Sequence, residues 1–149
     1  MGYTHYWYKQ SRIQKSVMQK IASDFKKVLP EFKDLLCFEF NEPNKKPVIT
    51  NALIRFNGKG KDGHETLYFE QVVDLNQHFS HDNGLIFGFC KTARKPYDIA
   101  VTTFLIIAAK HLKDGIRVTS DGNESEWQEA KDLCQKTLGY GNEFKLKGE

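Results

Sequence analysis

The sequence predicts an α+β domain: a mainly antiparallel sheet of about five to six strands, with about three helices packed on one face. Three observations carry that expectation. Short β-prone runs cluster in the middle of the chain instead of alternating strictly with helical ones. Three longer segments repeat apolar residues at helical spacing. The 149 residues fit one domain, 1–149, and can bury a core without a disulfide or metal staple.

The elements follow in order. "YTHYWY" at 3–8 is aromatic and β-prone, and strand alternation puts Tyr3, His5 and Trp7 on one face and Thr4, Tyr6 and Tyr8 on the other. Ser11 with Gln14 fits a capping box, and Ile13, Val17, Ile21, Phe25 and Val28 mark a helix that Pro30 ends. "LLCFEF" at 35–40 fits a strand or a short helix equally well. "NEPNKKP" at 41–47 reads as a loop. "NALIRFNG" and "HETLYFEQV" read as strands, and "NQHFSHDNG" as a second loop. "LIFGFCKT" is apolar on both faces, which predicts a central strand. Residues 97–112 form a helix that is apolar nearly all round, stopped near Gly115. "IRVTS" is a strand. Ser125 with Gln128 fits a second capping box, before a helix whose inner face carries Trp127, Ala130, Cys134 and Leu138 and which Gly139 closes.

Net charge is only +3, too mild for a general nucleic-acid stripe, so any basic patch must be local; a local nucleic-acid contact stays open. Cys37, Cys90 and Cys134 are odd in number, far apart and set in apolar patterns. They read as reduced core thiols, which places the protein in a reducing compartment, the cytoplasm. The first ten residues lack an apolar signal region, and the apolar run at 99–109 is shorter than the roughly 20 residues of a membrane span. Tyr6 stands where the myristoylation pattern needs Ser or Thr. No membrane partner is expected. Nothing in the sequence fixes the oligomeric state.

Several motifs invite a chemical reading. "GKGKDG" has G-x-G-x-x-G spacing, but a strand follows it where a dinucleotide fold has a helix; it reads as a glycine hairpin exposing Lys59 and Lys61, or as a flap closing on an anion. His78, His81 and Asp82 sit in a loop without a further ligand cluster, so no metal or other cofactor is expected. The strongest signal is "CKTARKPYD". Pro96 and Asp98 suit the first turn of a helix, but Lys91, Arg94 and Lys95 lie at its positive end, where cations are disfavoured. An anion held between them would offset that penalty. The alternative is that Arg94 pairs with Asp98 or Asp121 and the lysines are solvated. Ser120 and Asp121, where a strand turns into the last helix, suit contact with a hydroxyl.

"GYTHYW", "NGKGKDGHET", "FCKTARKPYD" and "SDG" followed by "W…LGYG" together resemble a family of small uncharacterised proteins found in bacteriophages, bacteria and large DNA viruses. The resemblance spans almost the whole chain. It implies a viral or phage setting and implies nothing about chemistry.

The expected function is therefore that of a small binding protein with a basic, aromatic-lined pocket for an anionic small molecule, such as a nucleotide or nucleotide signal. Lys91, Arg94 and Lys95 would hold phosphate, Tyr3, His5 and Trp7 would line or stack the base, and Ser120 and Asp121 would read a hydroxyl. An enzyme of phosphoesterase or nuclease type would instead use His5 or His64 with Glu65 or Asp121, beside Lys91 or Arg94. A third expectation is a protein–protein module that uses an exposed edge strand at 3–8.

Overall fold

The computed structural model describes residues 2–74, 81–82 and 84–147. Alternation along the first strand sets the layers. In β1 (Thr4–Lys9) His5, Trp7 and Lys9 are buried, whereas Tyr6 and Tyr8 are only half-buried. β1 pairs antiparallel with β7 (Leu85–Lys91) on one side and with β8 (Ile116–Ser120) on the other. β6 (His81–Asp82) extends this sheet beyond β7, in the order β6-β7-β1-β8. In a second sheet, β4 (Leu53–Gly58) pairs antiparallel with β2 (Leu36–Cys37), β3 (Val48–Ile49) and β5 (Leu67–Glu70).

Three α-helices complete the described residues: α1 (Lys15–Val28), α2 (Asp98–Leu112) and α3 (Gln128–Leu138). α2 is buried at every position from Ala100 to Ala108 and packs against α1, α3 and β8. Its Phe104 meets Phe25 of α1 edge-on at 5.5 Å and Phe69 of β5 at 4.9 Å. Phe25 also stacks on Phe56 of β4 at 5.3 Å, and Trp7 of β1 reaches Phe69 at 6.0 Å. One aromatic cluster thus joins two helices and both sheets. No helix among the described residues is long and apolar enough to cross a membrane.

The α+β class, the antiparallel pairing and the all-round burial of α2 are as the sequence predicts. Several details differ. The strands form two four-stranded sheets, because the middle ones pair with each other while β1 pairs with strands from the second half of the chain. β1 is an interior strand, so the segment 3–8 is not an exposed edge and cannot serve as an edge-strand docking site. Residues 35–40 yield only the two-residue β2. The first capping box does not form: the backbone of 11–13 pairs with 71–73, and the helix starts after Gln14 with no side-chain cap. The second forms two residues earlier than expected, between Asn123 and Glu126. The glycine hairpin contains a 3-10 turn, Gly60–Asp62. His78 lies outside the described residues, as does part of the second loop, within which β6 forms.

Lys9 links the two sheets from inside. Its ammonium donates to the Glu70 carbonyl at 2.7 Å and lies 5.0 Å from the Phe69 ring centroid. Burial lowers its pKa to about 8, against a partly opposing pull from Glu70. Between pH 8 and roughly pH 10 the folded protein has released this proton while the unfolded chain still holds it, so stability rises with pH in that window. Urea denaturation across this range should show the rise in the wild type and a flatter profile in Lys9→Met.

Leu105 is completely buried in the middle of α2. Leu105→Ala should cost about 2–5 kcal/mol through lost transfer energy and the cavity left behind. Equilibrium denaturation measures this, and a loss below about 1 kcal/mol would mean that the helix is not the packed centre.

Candidate functional site

The end of β1 splits the chemically interesting residues between two faces. On the inner face His5 is fully buried. Its Nε2 lies 2.7 Å from Asp98 Oδ1, and its Nδ1 lies 2.8 Å from Ser120 Oγ. Asp98 Oδ1 also accepts from the Thr92 hydroxyl at 2.5 Å. Ser120 Oγ accepts from the Gly122 N–H at 2.9 Å. Tyr3 packs edge-on to His5 at 5.0 Å, and Trp127 does the same at 5.1 Å. Burial, then the Asp98 and Glu126 carboxylates, push the Tyr3 phenol up to about 12. A Cβ on Gly122 would stand 2.1 Å from the Tyr3 hydroxyl, so only glycine fits there.

In the loop between β7 and α2, the helix mouth carries a carboxylate and Arg94 of "KTARKP" has a protein partner. Asp98, in the first turn of α2, supplies the negative charge that a helix N-terminus favours. Arg94 pairs with Glu126, rather than with Asp98 or Asp121, and its guanidinium lies 3.8 Å from the Tyr3 ring centroid. Ala93 and Arg94 both adopt left-handed backbone conformations, with φ of 53° and 60°. The Tyr3 carbonyl, accepting from the Thr92 and Ala93 N–H groups at 3.0 and 3.1 Å, helps fix them. Lys95 is half-buried in the same loop.

The outer face is different. Tyr6 and Tyr8 of β1 stand opposite Phe89 and Phe87 of β7, and opposite Thr119 and Arg117 of β8. Phe87 lies 6.1 Å from Tyr6, 5.1 Å from Tyr8 and 5.7 Å from Phe89. Phe89 is 52% exposed. The Arg117 guanidinium lies 4.6 Å from the Tyr8 ring centroid. Lys91 follows Phe89 on the same face by strand alternation. Asp121 closes this end, accepting from the Tyr6 hydroxyl at 3.1 Å and from the Thr4 N–H at 3.0 Å.

The predicted site residues therefore divide into three groups. Lys91 and Asp121 belong to the outer face. Tyr3, His5, Arg94, Lys95 and Ser120 surround the start of α2. Trp7 belongs to the core. His64 is exposed, and Glu65 Oε1 accepts the Lys91 N–H at 2.8 Å, so neither joins the His5 cluster. Sequence reasoning missed Phe87, Phe89, Tyr8 and Arg117 as site residues. The signal was available in "LIFGFCK": its alternate members Leu85, Phe87, Phe89 and Lys91 face outward, so the strand is apolar on both sides although one side is open. Among the described residues no group of three or more His, Cys, Asp or Glu is placed to hold a metal ion.

The inner cluster holds β1, β8 and the start of α2 together. Asp98→Ala leaves a buried His5 nitrogen and the Thr92 hydroxyl without their acceptor, and should destabilise the fold by about 1–3 kcal/mol in chemical denaturation. A stability matching the wild type would show that the network does not tie these elements.

Comparison with protein-family models, curated proteins and solved structures returns no match to this chain.

Proposed function

We propose that the protein is a small binding protein for a phosphate-bearing ligand with a stackable ring, such as a nucleotide or nucleotide signal, held on the open face of the β6-β7-β1-β8 sheet. The observation that carries this reading is the aromatic row Tyr6–Phe87–Phe89, continued by Tyr8, with its exposed member Phe89. A flat ring gains about 1–3 kcal/mol on such a platform whatever its hydrogen-bonding edge. Lys91 and Arg117 flank the aromatics and suit phosphate. Asp121 uses two acceptor positions on Tyr6 and Thr4 and retains others for a hydroxyl. The platform is a sheet surface, whereas the sequence suggests a basic, aromatic-lined pocket.

The three unpaired, buried thiols fit a reducing cytoplasm. With the resemblance to phage and viral proteins, the setting is a host cytoplasm, where binding without turnover would withdraw a signal from circulation. A second reading, an enzyme of phosphoesterase type, has one observation in its favour: Ser120, His5 and Asp98 are hydrogen-bonded in a row. Against it, the imidazole is fully buried and Ser120 Oγ already accepts from Gly122.

A nucleotide panel and a short single-stranded oligonucleotide, titrated calorimetrically, test the proposal. Phe89→Ala should weaken binding about 10-fold. Lys91→Ala should weaken it and reduce its salt dependence. Arg94→Ala should leave it unchanged. Loss of binding in Arg94→Ala with full binding in Phe89→Ala would move the ligand to the α2 mouth and overturn the sheet-face reading. Release of product from the panel, abolished by Ser120→Ala, would favour the enzyme.

A further inference from the structure

A groove of about 630 Å³ lies on another part of the molecule, between the end of α1 and the 41–47 loop. It shares no lining residue with the aromatic sheet face. Its apolar lining comes from Leu29, Phe32 and Leu36, with Phe32 and Leu36 almost fully buried. Pro30, Pro43 and Pro47 stiffen its walls by fixing their backbone φ. Five lysines surround it: Lys26, Lys33, Lys45, Lys46 and Lys59.

Among the described residues, no Asp or Glu lines the groove. Among the described residues, none of the five ammonium groups lies within ion-pair distance of a carboxylate. Lys45 rests 3.8 Å from the Phe38 ring centroid instead. Of the carboxylates in the same segments, Glu39 is engaged by Arg55 at 3.0 Å, and Glu31, Asp34 and Glu42 make no ion pair with these lysines. Cations gathered with no carboxylate within ion-pair distance repel one another, and an anion placed among them relieves that repulsion. The volume falls within the roughly 300–1,000 Å³ of small-molecule sites, and an apolar surface with charge at the rim is how such sites combine affinity with orientation.

The geometry points to a second binding site here, for a single amphiphilic anion: an apolar body lying along Leu29, Phe32 and Leu36, and a phosphate or carboxylate head among the lysines. Neither part suffices. The apolar strip is too small to hold a neutral chain tightly, and the lysines are too exposed to retain a bare anion against solvent and salt.

Amide chemical-shift mapping of the full chain tests this with three probes: octyl phosphate, inorganic phosphate and octyl glucoside. Octyl phosphate should give saturable shifts confined to residues 26–47 and Lys59, and should bind at least 10-fold more tightly than either of the others. The triple variant Lys26→Gln/Lys33→Gln/Lys46→Gln alters only exposed side chains, so it should fold normally and lose at least 10-fold in octyl phosphate affinity. Lys20→Gln makes the same charge change on an exposed part of α1 and should bind like the wild type. Equal binding of inorganic phosphate or octyl glucoside would overturn the proposal. So would shifts centred on the aromatic sheet face, or an unchanged affinity in the triple variant.

Discussion

The fold depends on a helix with no side left for water. From Ala100 to Ala108 every residue of α2 is buried, so other elements must cover it on all sides. α1 and α3 cover part of it, and aromatic side chains from both sheets reach it through Phe69 and Phe25. Such a helix has one electrostatic difficulty, at its positive N-terminal end. Asp98 resolves it from within the helix, and His5 and Thr92 hold that carboxylate in place. The polar cluster at the start of α2 is therefore a consequence of packing an apolar helix, and of the loop cations Arg94 finds its partner, Glu126, beside it.

How far the sequence disclosed this depends on the range of the interaction concerned. The apolar run of α2 and the alternation in β1 are local patterns, and both were legible. The ion pair between Arg94 and Glu126 spans 32 residues and the contact of His5 with Asp98 spans 93, and neither leaves a trace in local spacing. The expected cap at Ser11 failed for a related reason: the pattern was present, but the backbone there was taken by pairing with residues 71–73. The platform residues were missed because an aromatic strand in the centre of a sheet and an aromatic strand open on one side have the same composition. Only the arrangement of the helices distinguishes them.

β1 gives its two faces opposite tasks. Inward, His5 and Lys9 spend their polarity on neighbours within the protein, through hydrogen bonds to Asp98, Ser120 and the Glu70 carbonyl, while Trp7 packs on Phe69. Outward, Tyr6 and Tyr8 pack against other rings of the same face, Arg117 and Asp121. A hydrogen-bonded inner face is a suitable support for an outer one proposed to hold a flat ring at a fixed spacing. The lysine-rimmed groove has different support, a helix end and a proline-stiffened loop, which fits its assignment to a separate ligand.

The position of β1 also bears on how the chain reaches this structure. β1 pairs on both sides with strands from the second half of the sequence; His5 and Ser120 are 115 residues apart. β4 and β5, by contrast, are neighbours in sequence and can pair early. Non-local closure of this kind carries a large loop entropy before any contact repays it, which puts assembly of the first sheet toward the slow end of the folding range. Until β8 is made, the aromatic N-terminal segment has an unpaired backbone on that side. An aromatic strand edge left unpaired in this way is exposed to association with other chains until β8 closes it.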